Sequence, residues 1–208
     1  MSCDKNQDLW MIFNHCIKKY WPDHPEIIYS TETKVNPYYR TICKNLNVNH
    51  WTERVKKTVE EIDDDQILLM CDDVFIKEPV TWVDIVIPEG VASVNLQVAN
   101  DQSWEDLGNN LICLDDKAKY KTSVMCSLWD KKKMLNVFDC FLDPWTFERA
   151  NMDKGYKYCR LKEPVLKWDG EVCGKIFGVF RSKWVRRTAE FLSNEGLNID
   201  FDKRGYYD

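Results

Sequence analysis

The chain has 208 residues, of which 44% are hydrophobic and 30% charged, a composition typical of a globular protein with a packed core. Its net charge of −5 argues against nucleic acid as the main partner, because phosphate binding requires a basic surface. No window approaches the ~18–20 consecutive apolar residues of a membrane span, and no basic and apolar leader opens the chain. We therefore expect no membrane span.

The nine cysteines are spread along the chain, and no two are closer than thirteen residues. This spacing contains no C-x-x-C pair for zinc binding or redox chemistry. Their number is odd and several lie in apolar runs, which predicts reduced core thiols and a cytoplasmic location.

The first half of the chain alternates helical and strand patterns. Residues 8–21 have apolar side chains at helical spacing, with Asp8 as a candidate N-cap. Residues 26–30 predict a short strand after Pro25, and residues 51–62 predict a second amphipathic helix.

The clearest pattern is the apolar run 67–71, which Asp72 and Asp73 follow directly. A continuous apolar run of this length is typical of a central strand of a parallel sheet, covered on both faces. Residues 91–98 alternate apolar and polar side chains and predict a half-exposed strand.

The second half mixes the two kinds of element. Helical patterns at 131–138 and 182–194, the second closed by Gly196, accompany predicted strands at 156–160 and 172–180. No linker divides the chain. We therefore predict one α/β domain over residues 1–208, with a mixed, mostly parallel central sheet flanked by helices.

Asp-Asp pairs occur four times, so position must distinguish them. The triplet 63–65 falls between a helix and a strand, where a solvated turn is expected. Asp72 and Asp73 instead end a buried strand, at the edge of the sheet where open α/β folds bind ligands. Two adjacent carboxylates there repel each other unless a cation lies beside them, which predicts Mg²⁺ or Mn²⁺ shared with a substrate diphosphate. The alternative is a pair of turn residues making Asx hydrogen bonds.

Three separated motifs agree in order with one family. The first motif is Ser2-Cys3-Asp4-Lys5-Asn6, followed by Asp8-Leu9-Trp10. The second consists of Trp51, Arg54, the predicted strand 67–71, Asp72-Asp73 and Phe75. The third is Ser127-Leu128-Trp129, followed by the segment from Asp143 to Glu148. Together they resemble the small nucleotide-sugar glycosyltransferases of the GT-A fold, which is Rossmann-like. Within that family they look like the N-terminal domains that large alga-infecting viruses carry to glycosylate their capsid protein, which would act in the host cytoplasm.

The resemblance implies a nucleotide-sugar-binding half at about residues 1–100 and an acceptor-side half at about 101–208. Asp73 would ligate the metal, and Asp72 would reach the ribose or a metal-bound water. Arg54 could point at the diphosphate or form a surface pair with Glu53 or Glu61, and Trp51 is a packing residue or a ligand contact. The residues expected to border uracil and ribose are Cys3, Asp4, Thr31 and Glu32.

The same resemblance implies a carboxylate base if configuration inverts, and the candidates are Asp143 and Glu148. Asp143 could instead be an N-cap with Pro144 at the first helical position. Relatives carry the acid one position earlier, where this chain has Leu142. Many also complete the metal shell with a late histidine, whereas the histidines here are all early, so the metal would depend on Asp73, the diphosphate and water.

The expected activity is transfer of glucose, another hexose or a deoxyhexose from a UDP-sugar to a glycan or glycoprotein, with inversion. A non-catalytic carbohydrate-binding module is one alternative, which the aromatic content would permit. A metal-dependent phosphohydrolase or nucleotidyltransferase is another. The sequence has no phosphate-binding glycine motif and no second acidic cluster for a two-metal site, and both absences count against the latter.

Overall fold

A computed structural model describes residues 1–96, 104–118, 120–150, 152, 154–163, 165–166, 168–169, 171–172, 175–176 and 178–207. It contains both helices and sheets, so the predicted mixed α/β class is confirmed. The chain divides into two compact units, described separately below. The large unit comprises Met1–Asp4, Ile27–Cys71 and Trp82–Val165, and the small unit comprises Lys5–Glu26, Asp72–Thr81 and Leu166–Asp208.

Helices and strands are numbered in chain order. The helices are α1 Trp10–Tyr20, α2 Trp51–Val59, α3 Lys131–Val137, α4 Pro144–Ala150 and α5 Arg186–Asn194, with short 3-10 helices at Asp4–Leu9 and Val48–His50. The strands are β1 Ile28–Thr31, β2 Arg40–Cys43, β3 Gln66–Leu69, β4 Phe75–Ile76, β5 Val91–Asn95, β6 Trp104–Gly108, β7 Leu111–Leu114, β8 Ser127–Asp130, β9 Lys157–Leu161, β10 Trp168–Asp169, β11 Glu171–Val172, β12 Lys175–Ile176, β13 Val179–Phe180, β14 Lys183–Val185 and β15 Tyr206–Tyr207.

The large unit contains a six-stranded sheet with the order β3-β8-β5-β9-β7-β6. Strands β5 and β9 run parallel, but the other pairings described in this sheet are antiparallel. The prediction of a mostly parallel sheet is therefore wrong. One reason is the tight β6–β7 hairpin, where Asn109 and Asn110 have φ values of 46° and 63°. Two such residues form the turn type that joins antiparallel strands.

The apolar run before Asp72 does form a strand, as predicted, but β3 ends at Leu69. Its partner β8 runs antiparallel to it. Ile67 and Leu69 are buried while Leu68 between them is only half-buried, so the strand is not equally covered on its two faces. Strand β5 is more buried than the half-exposed strand that was predicted. All five of its residues are buried, so both of its faces are covered, and it lies between β8 and β9 in the sheet. Residues 97–98 of its predicted extent lie outside the described residues.

The N-terminal residues are held between two strands of the large unit. The Met1 ammonium group donates to the Met70 carbonyl at 2.7 Å, and the Ser2 N–H donates to the Ser30 carbonyl at 3.1 Å. Ser30 lies in β1, which pairs in parallel with β2. These bonds place the first residues of the chain beside the carboxyl ends of β1 and β3.

Aromatic rings form the centre of the large unit. Phe138 lies 4.5 Å from Phe147, 5.4 Å from Trp129 and 5.6 Å from Trp51, measured between ring centroids. Trp129 also meets Tyr158 edge-on at 6.3 Å. Trp51 is 2% exposed and belongs to this core. The sequence left Trp51 as either a packing residue or a ligand contact, and its surroundings in the core are those of a packing residue.

The predicted helices are confirmed with shifted ends. Helix α1 begins at Trp10, and Asp8 is not its cap, because the N-cap position is Leu9 without a side-chain bond. Helix α5 begins at Arg186, since Lys183–Val185 pair with β13 and β15 as strand β14. Gly196 follows α5 with a φ of +73°, as expected for the residue that ends a helix. The predicted strand 172–180 contains three short strands, β11 to β13, with 173–174 and 177 outside the described residues.

The small unit packs α1 against β4, and α5 against β14 and β10. Trp184 of β14 is 1% exposed and lies 5.3 Å from Phe201 and 6.4 Å from Phe75 by ring centroids. Strand β14 lies between β13 and β15, and β4 pairs antiparallel with β10.

Glu195, just after α5, binds three side chains of α1. Its carboxylate accepts from Lys19 Nζ at 2.7 Å and from the Tyr20 hydroxyl at 2.6 Å, and it lies 3.0 Å from His15 Nε2. Burial raises the pKa of this carboxyl, but the bonds from Lys19, Tyr20 and His15 outweigh burial and lower the pKa to about 2. The ionised form is therefore the one that joins α1 to α5 within the small unit.

We expect Glu195→Gln to lower stability at neutral pH and to flatten its dependence on acid. A carboxyl with a lowered folded-state pKa stabilises the protein above its ordinary pKa of about 4.3, and this contribution is lost as pH falls from about 5 to 2. Urea unfolding at several pH values measures this. Glu190→Gln changes an exposed carboxyl of the same helix and serves as the control. Parallel curves for wild type and Glu195→Gln between pH 5 and 2 would contradict the assignment.

Candidate functional site

The acidic pair lies in a turn directly after β3, at the start of a segment of the small unit. Asp72 is buried at 4% exposure, whereas Asp73 is half-buried. Asp72 Oδ1 accepts a hydrogen bond from Asn6 Nδ2 at 3.3 Å. The pair therefore differs from the exposed triplet 63–65, as the sequence predicts.

Asp73 has an unusually high pKa. Burial is the larger cause and the negative charge of the neighbouring Asp72 the second; together they raise the pKa of this carboxyl to about 7. Arg204 acts in the opposite direction, but the net shift is upward. The surroundings of Asp73 thus disfavour a second negative charge beside Asp72. This is the electrostatic setting in which a cation binds.

Gly178 allows the backbone to approach Asp73 closely. Its N–H donates to the Asp73 carbonyl at 2.8 Å. A Cβ at this position would lie 2.6 Å from the same carbonyl oxygen and 2.3 Å from Phe75 Cε2. Both distances are below any real Cβ contact, so only glycine fits while Asp73 and Phe75 keep their places. No pattern in the sequence distinguishes this glycine from the others.

Arg204 and Asp8 form an ion pair near the acidic pair. Arg204 Nε donates to Asp8 Oδ2 at 2.7 Å, and Arg204 Nη2 donates to Asp8 Oδ1 at 2.5 Å. The same Nη2 reaches Asn6 Oδ1 at 3.3 Å. Asp8 and Arg204 are 196 positions apart, so no sequence spacing could have connected them.

In the large unit, Arg54 binds one of the residues expected to contact the nucleotide, Glu32, and two main-chain carbonyls. Its side chain is 1% exposed; it forms an ion pair with Glu32 and donates to the carbonyls of Ser2 at 2.9 Å and Leu46 at 3.2 Å. Glu32 also accepts from the Asp4 N–H. The alternative of a surface pair with Glu53 or Glu61 is wrong, because the guanidinium is buried. The expected diphosphate contact stays a prediction.

Asp4 and Thr31 complete this group. The Asp4 carboxylate accepts from the Thr33 hydroxyl at 2.5 Å and from the Lys34 N–H at 3.2 Å. Thr31 is fully buried and donates from its hydroxyl to the Lys34 carbonyl at 2.8 Å. Cys3 is half-buried between Ser2 and Asp4. The five residues of the large unit predicted to bind the nucleotide-sugar are thus Cys3, Asp4, Thr31, Glu32 and Arg54, which lie on the first segment, the end of β1 and helix α2.

Asp143 caps helix α4. Its Oδ1 accepts from the Thr146 N–H at 2.9 Å, and its Oδ2 accepts from the Thr146 hydroxyl at 2.6 Å. Burial raises the pKa of Asp143, but these hydrogen bonds outweigh burial and lower it overall. The N-cap interpretation therefore describes its contacts, and its catalytic role stays a prediction. The backbone of the neighbouring Leu142 is hydrogen-bonded to Thr52 of α2.

Glu148 lies one turn further along α4 and is half-buried. Its Oε1 accepts from the Val124 N–H at 3.1 Å and from the Ser123 hydroxyl at 3.4 Å. Two aromatic side chains flank the start of α4 on the surface: Phe141 is 71% exposed and Trp145 is 63% exposed. The start of α4 thus combines carboxylates with exposed aromatic rings.

Within the described residues, no three His, Cys, Asp or Glu side chains are grouped closely enough to hold a metal ion by themselves. The acidic pair offers two carboxylates, which are oxygen ligands of the kind that Mg²⁺ and Mn²⁺ take. The pair therefore fits an ion that draws its other ligands from substrate or water. The eight cysteines that the structure describes are free thiols.

We expect Arg54→Met to destabilise the protein by about 3 kcal/mol, because it leaves Glu32 and the carbonyls of Ser2 and Leu46 without their partner. Glu32→Gln should recover part of this loss in the double variant, a coupling that urea unfolding of the full mutant cycle measures. Lys57→Met is the control, since it breaks an exposed pair with Glu53 on the same helix and should cost below about 1 kcal/mol. Equal losses of unfolding free energy for Arg54→Met and Lys57→Met would show that the contacts of Arg54 stabilise the protein no more than an exposed ion pair does.

We expect Asp73→Asn to stabilise the metal-free protein at pH 8. The folded-state pKa is raised, so the contribution of Asp73 to stability falls as pH rises from about 4 to 7 and stays low above that. Asparagine reproduces the neutral form at every pH. Thermal melts in EDTA should show a Tm about 2–4 °C higher than wild type at pH 8 and a smaller gain at pH 5, where only part of this cost has built up. Asp64→Asn, in the exposed triplet, should leave the Tm unchanged at both pH values, and a lower Tm for Asp73→Asn at pH 8 would refute this reading of Asp73.

No helix in the part of the chain that the structure describes is long and apolar enough to cross a membrane. The chain matches no protein-family model, no curated protein and no solved structure.

Proposed function

We propose that the chain is a metal-dependent glycosyltransferase that moves a hexose or deoxyhexose from a UDP-sugar to a glycan or glycoprotein. The observation that supports this best is the state of Asp73: a half-buried carboxyl beside the buried Asp72, with a pKa raised to about 7. In a turn without a ligand, the repulsion between two adjacent carboxylates is an uncompensated cost, whereas a bound cation and its diphosphate would offset it. The free thiols are consistent with the proposed cytoplasmic location.

Asp73 is the proposed ligand of Mn²⁺ or Mg²⁺, and Asp72 is proposed to bind the ribose. When bound, the ion supplies neutralisation of the charge that develops on the departing diphosphate. The two aspartates have distinct surroundings, since Asp72 is bonded to Asn6 and Asp73 is the more exposed of the two. This difference supports Asp73 as the direct ligand.

The nucleotide is proposed to contact Cys3, Asp4, Thr31 and Glu32. For Arg54 the contacts favour a supporting role, because its guanidinium already binds Glu32 and the carbonyls of Ser2 and Leu46. Arg54 would keep the first segment of the chain and the end of β1 in place. Glu32 is then shared between Arg54 and the Asp4 backbone.

Transfer with inversion requires a carboxylate that takes the proton of the acceptor hydroxyl. Asp143 is a poor proton acceptor, because Thr146 occupies both of its oxygens and its pKa is lowered. We therefore propose Glu148 as the base and Asp143 as the cap that orients α4. The exposed rings of Phe141 and Trp145 are proposed to contact the acceptor sugar, which exposed aromatic surface in this position favours.

Calorimetric titration of the protein with UDP, once in the presence of Mn²⁺ and once in EDTA, tests the metal site. We expect wild-type protein to bind UDP at least about tenfold more tightly with Mn²⁺, because Asp73 would hold an ion that neutralises the charge of the diphosphate. Asp73→Asn should lose this gain and keep the weaker binding measured in EDTA. Asp64→Asn removes the same charge from an exposed loop and should behave like wild type.

UDP binding that ignores Mn²⁺, or that keeps its full Mn²⁺ dependence in Asp73→Asn, would overturn the proposal. The other functions give different results in the same samples. Glycan binding without release of UDP from any UDP-sugar would indicate a carbohydrate-binding module. Release of phosphate from nucleotides without sugar transfer would indicate a phosphohydrolase.

A further inference from the structure

Arg204 binds the Asp8 carboxylate in the small unit, and its charge also acts on Asp73. Its side chain is 11% exposed, and it uses Nε and Nη2 to bind both oxygens of Asp8. This two-point pairing fixes the plane of the guanidinium. Arg204 is thus held rigidly by Asp8, with Nη2 directed also toward Asn6 at 3.3 Å.

Asn6 connects Arg204 to the acidic pair. A guanidinium group can only donate hydrogen bonds and an ionised carboxylate can only accept them. The Asn6 amide must therefore turn its oxygen to Arg204 and its nitrogen to Asp72, and this is the orientation observed. A reversed amide would place NH₂ against the guanidinium and oxygen against the carboxylate. The position of Arg204 thereby determines which group of Asn6 faces Asp72.

We propose that Arg204 is a positioning residue for the Asp72-Asp73 pair and acts through Asn6. The hydrogen bond from Asn6 holds the Asp72 carboxylate in one direction, so that Asp73 presents its own carboxylate to the divalent cation. This inference rests on the proposed metal-dependent binding of a nucleotide diphosphate. It assigns a role in that binding to a residue near the end of the chain and to the amide that links it to the pair.

Two variants break the connection at different points. Arg204→Gln removes the guanidinium, whereas Asn6→Asp keeps an acceptor for Arg204 and replaces the donor facing Asp72 with a repelling oxygen. Because a residue that orients a metal ligand affects metal affinity by about tenfold or more, both should weaken Mn²⁺-dependent UDP binding by at least that factor. Binding of UDP in EDTA should stay within about twofold of wild type. Mn²⁺ binding alone, followed by electron paramagnetic resonance, should weaken in the same order.

The controls separate positioning from a general loss of structure. Lys203→Gln removes a positive charge from the exposed neighbouring position and should leave Mn²⁺ affinity within about twofold of wild type. Arg204→Lys should recover only part of the affinity, since one ammonium cannot reproduce the two-point pairing with Asp8. Circular dichroism verifies that each variant is folded. If Arg204→Gln does not fold, Asn6→Asp still tests the proposed role, because it retains the ion pair between Arg204 and Asp8.

Wild-type Mn²⁺ dependence in both Arg204→Gln and Asn6→Asp would overturn this role alone. Equal losses of UDP affinity in EDTA and in Mn²⁺ would also overturn it, because they indicate only a structural effect. Wild-type protein that binds neither Mn²⁺ nor UDP would overturn the proposed function and this role together.

Discussion

A charge removed from water must be compensated by a partner, and both units of this protein are organised around that requirement. In the large unit the buried Arg54 meets Glu32 and two carbonyls. In the small unit Arg204 pairs with Asp8, and Glu195 gathers three donors from α1. Among the described residues, the groups around Asp73 compensate its charge only in part, and the pKa of its carboxyl is raised as a result. The place where compensation is incomplete is the place where we propose that a ligand binds.

Periodicity predicted which segments form helices and strands, because side-chain spacing reports how each segment is buried. Helices α2 and α3 and strands β1, β3 and β9 lie where the sequence predicted them. The direction of neighbouring strands was not predictable in this way. An apolar run such as 67–71 is equally compatible with parallel and antiparallel neighbours, and the strand that lies beside it, β8, comes about sixty residues later. The mostly parallel sheet was inferred from local pattern alone, and pairing over long distances decided otherwise.

The candidate site was predictable where a residue acts through its own side-chain type and sequence position. The acidic pair was found because two carboxylates follow an apolar strand. Arg54 was found by resemblance, but its partners include main-chain carbonyls, which no residue pattern reports. The link between Asn6 and Arg204 was missed because the two residues lie at opposite ends of the chain, and Gly178 was missed because its importance depends on the atoms that surround it.

Trp145 gives the protein an optical probe beside α4. Of the tryptophans whose exposure the structure describes, it alone is exposed, whereas Trp10, Trp21, Trp51, Trp129 and Trp184 are buried. An exposed indole emits at longer wavelength and is quenched by solutes that buried indoles do not meet. Among the tryptophans with described exposure, Trp82 is half-buried and Trp145 is the one most open to such solutes. Its quenching therefore reports on the surface next to Asp143 without an attached dye.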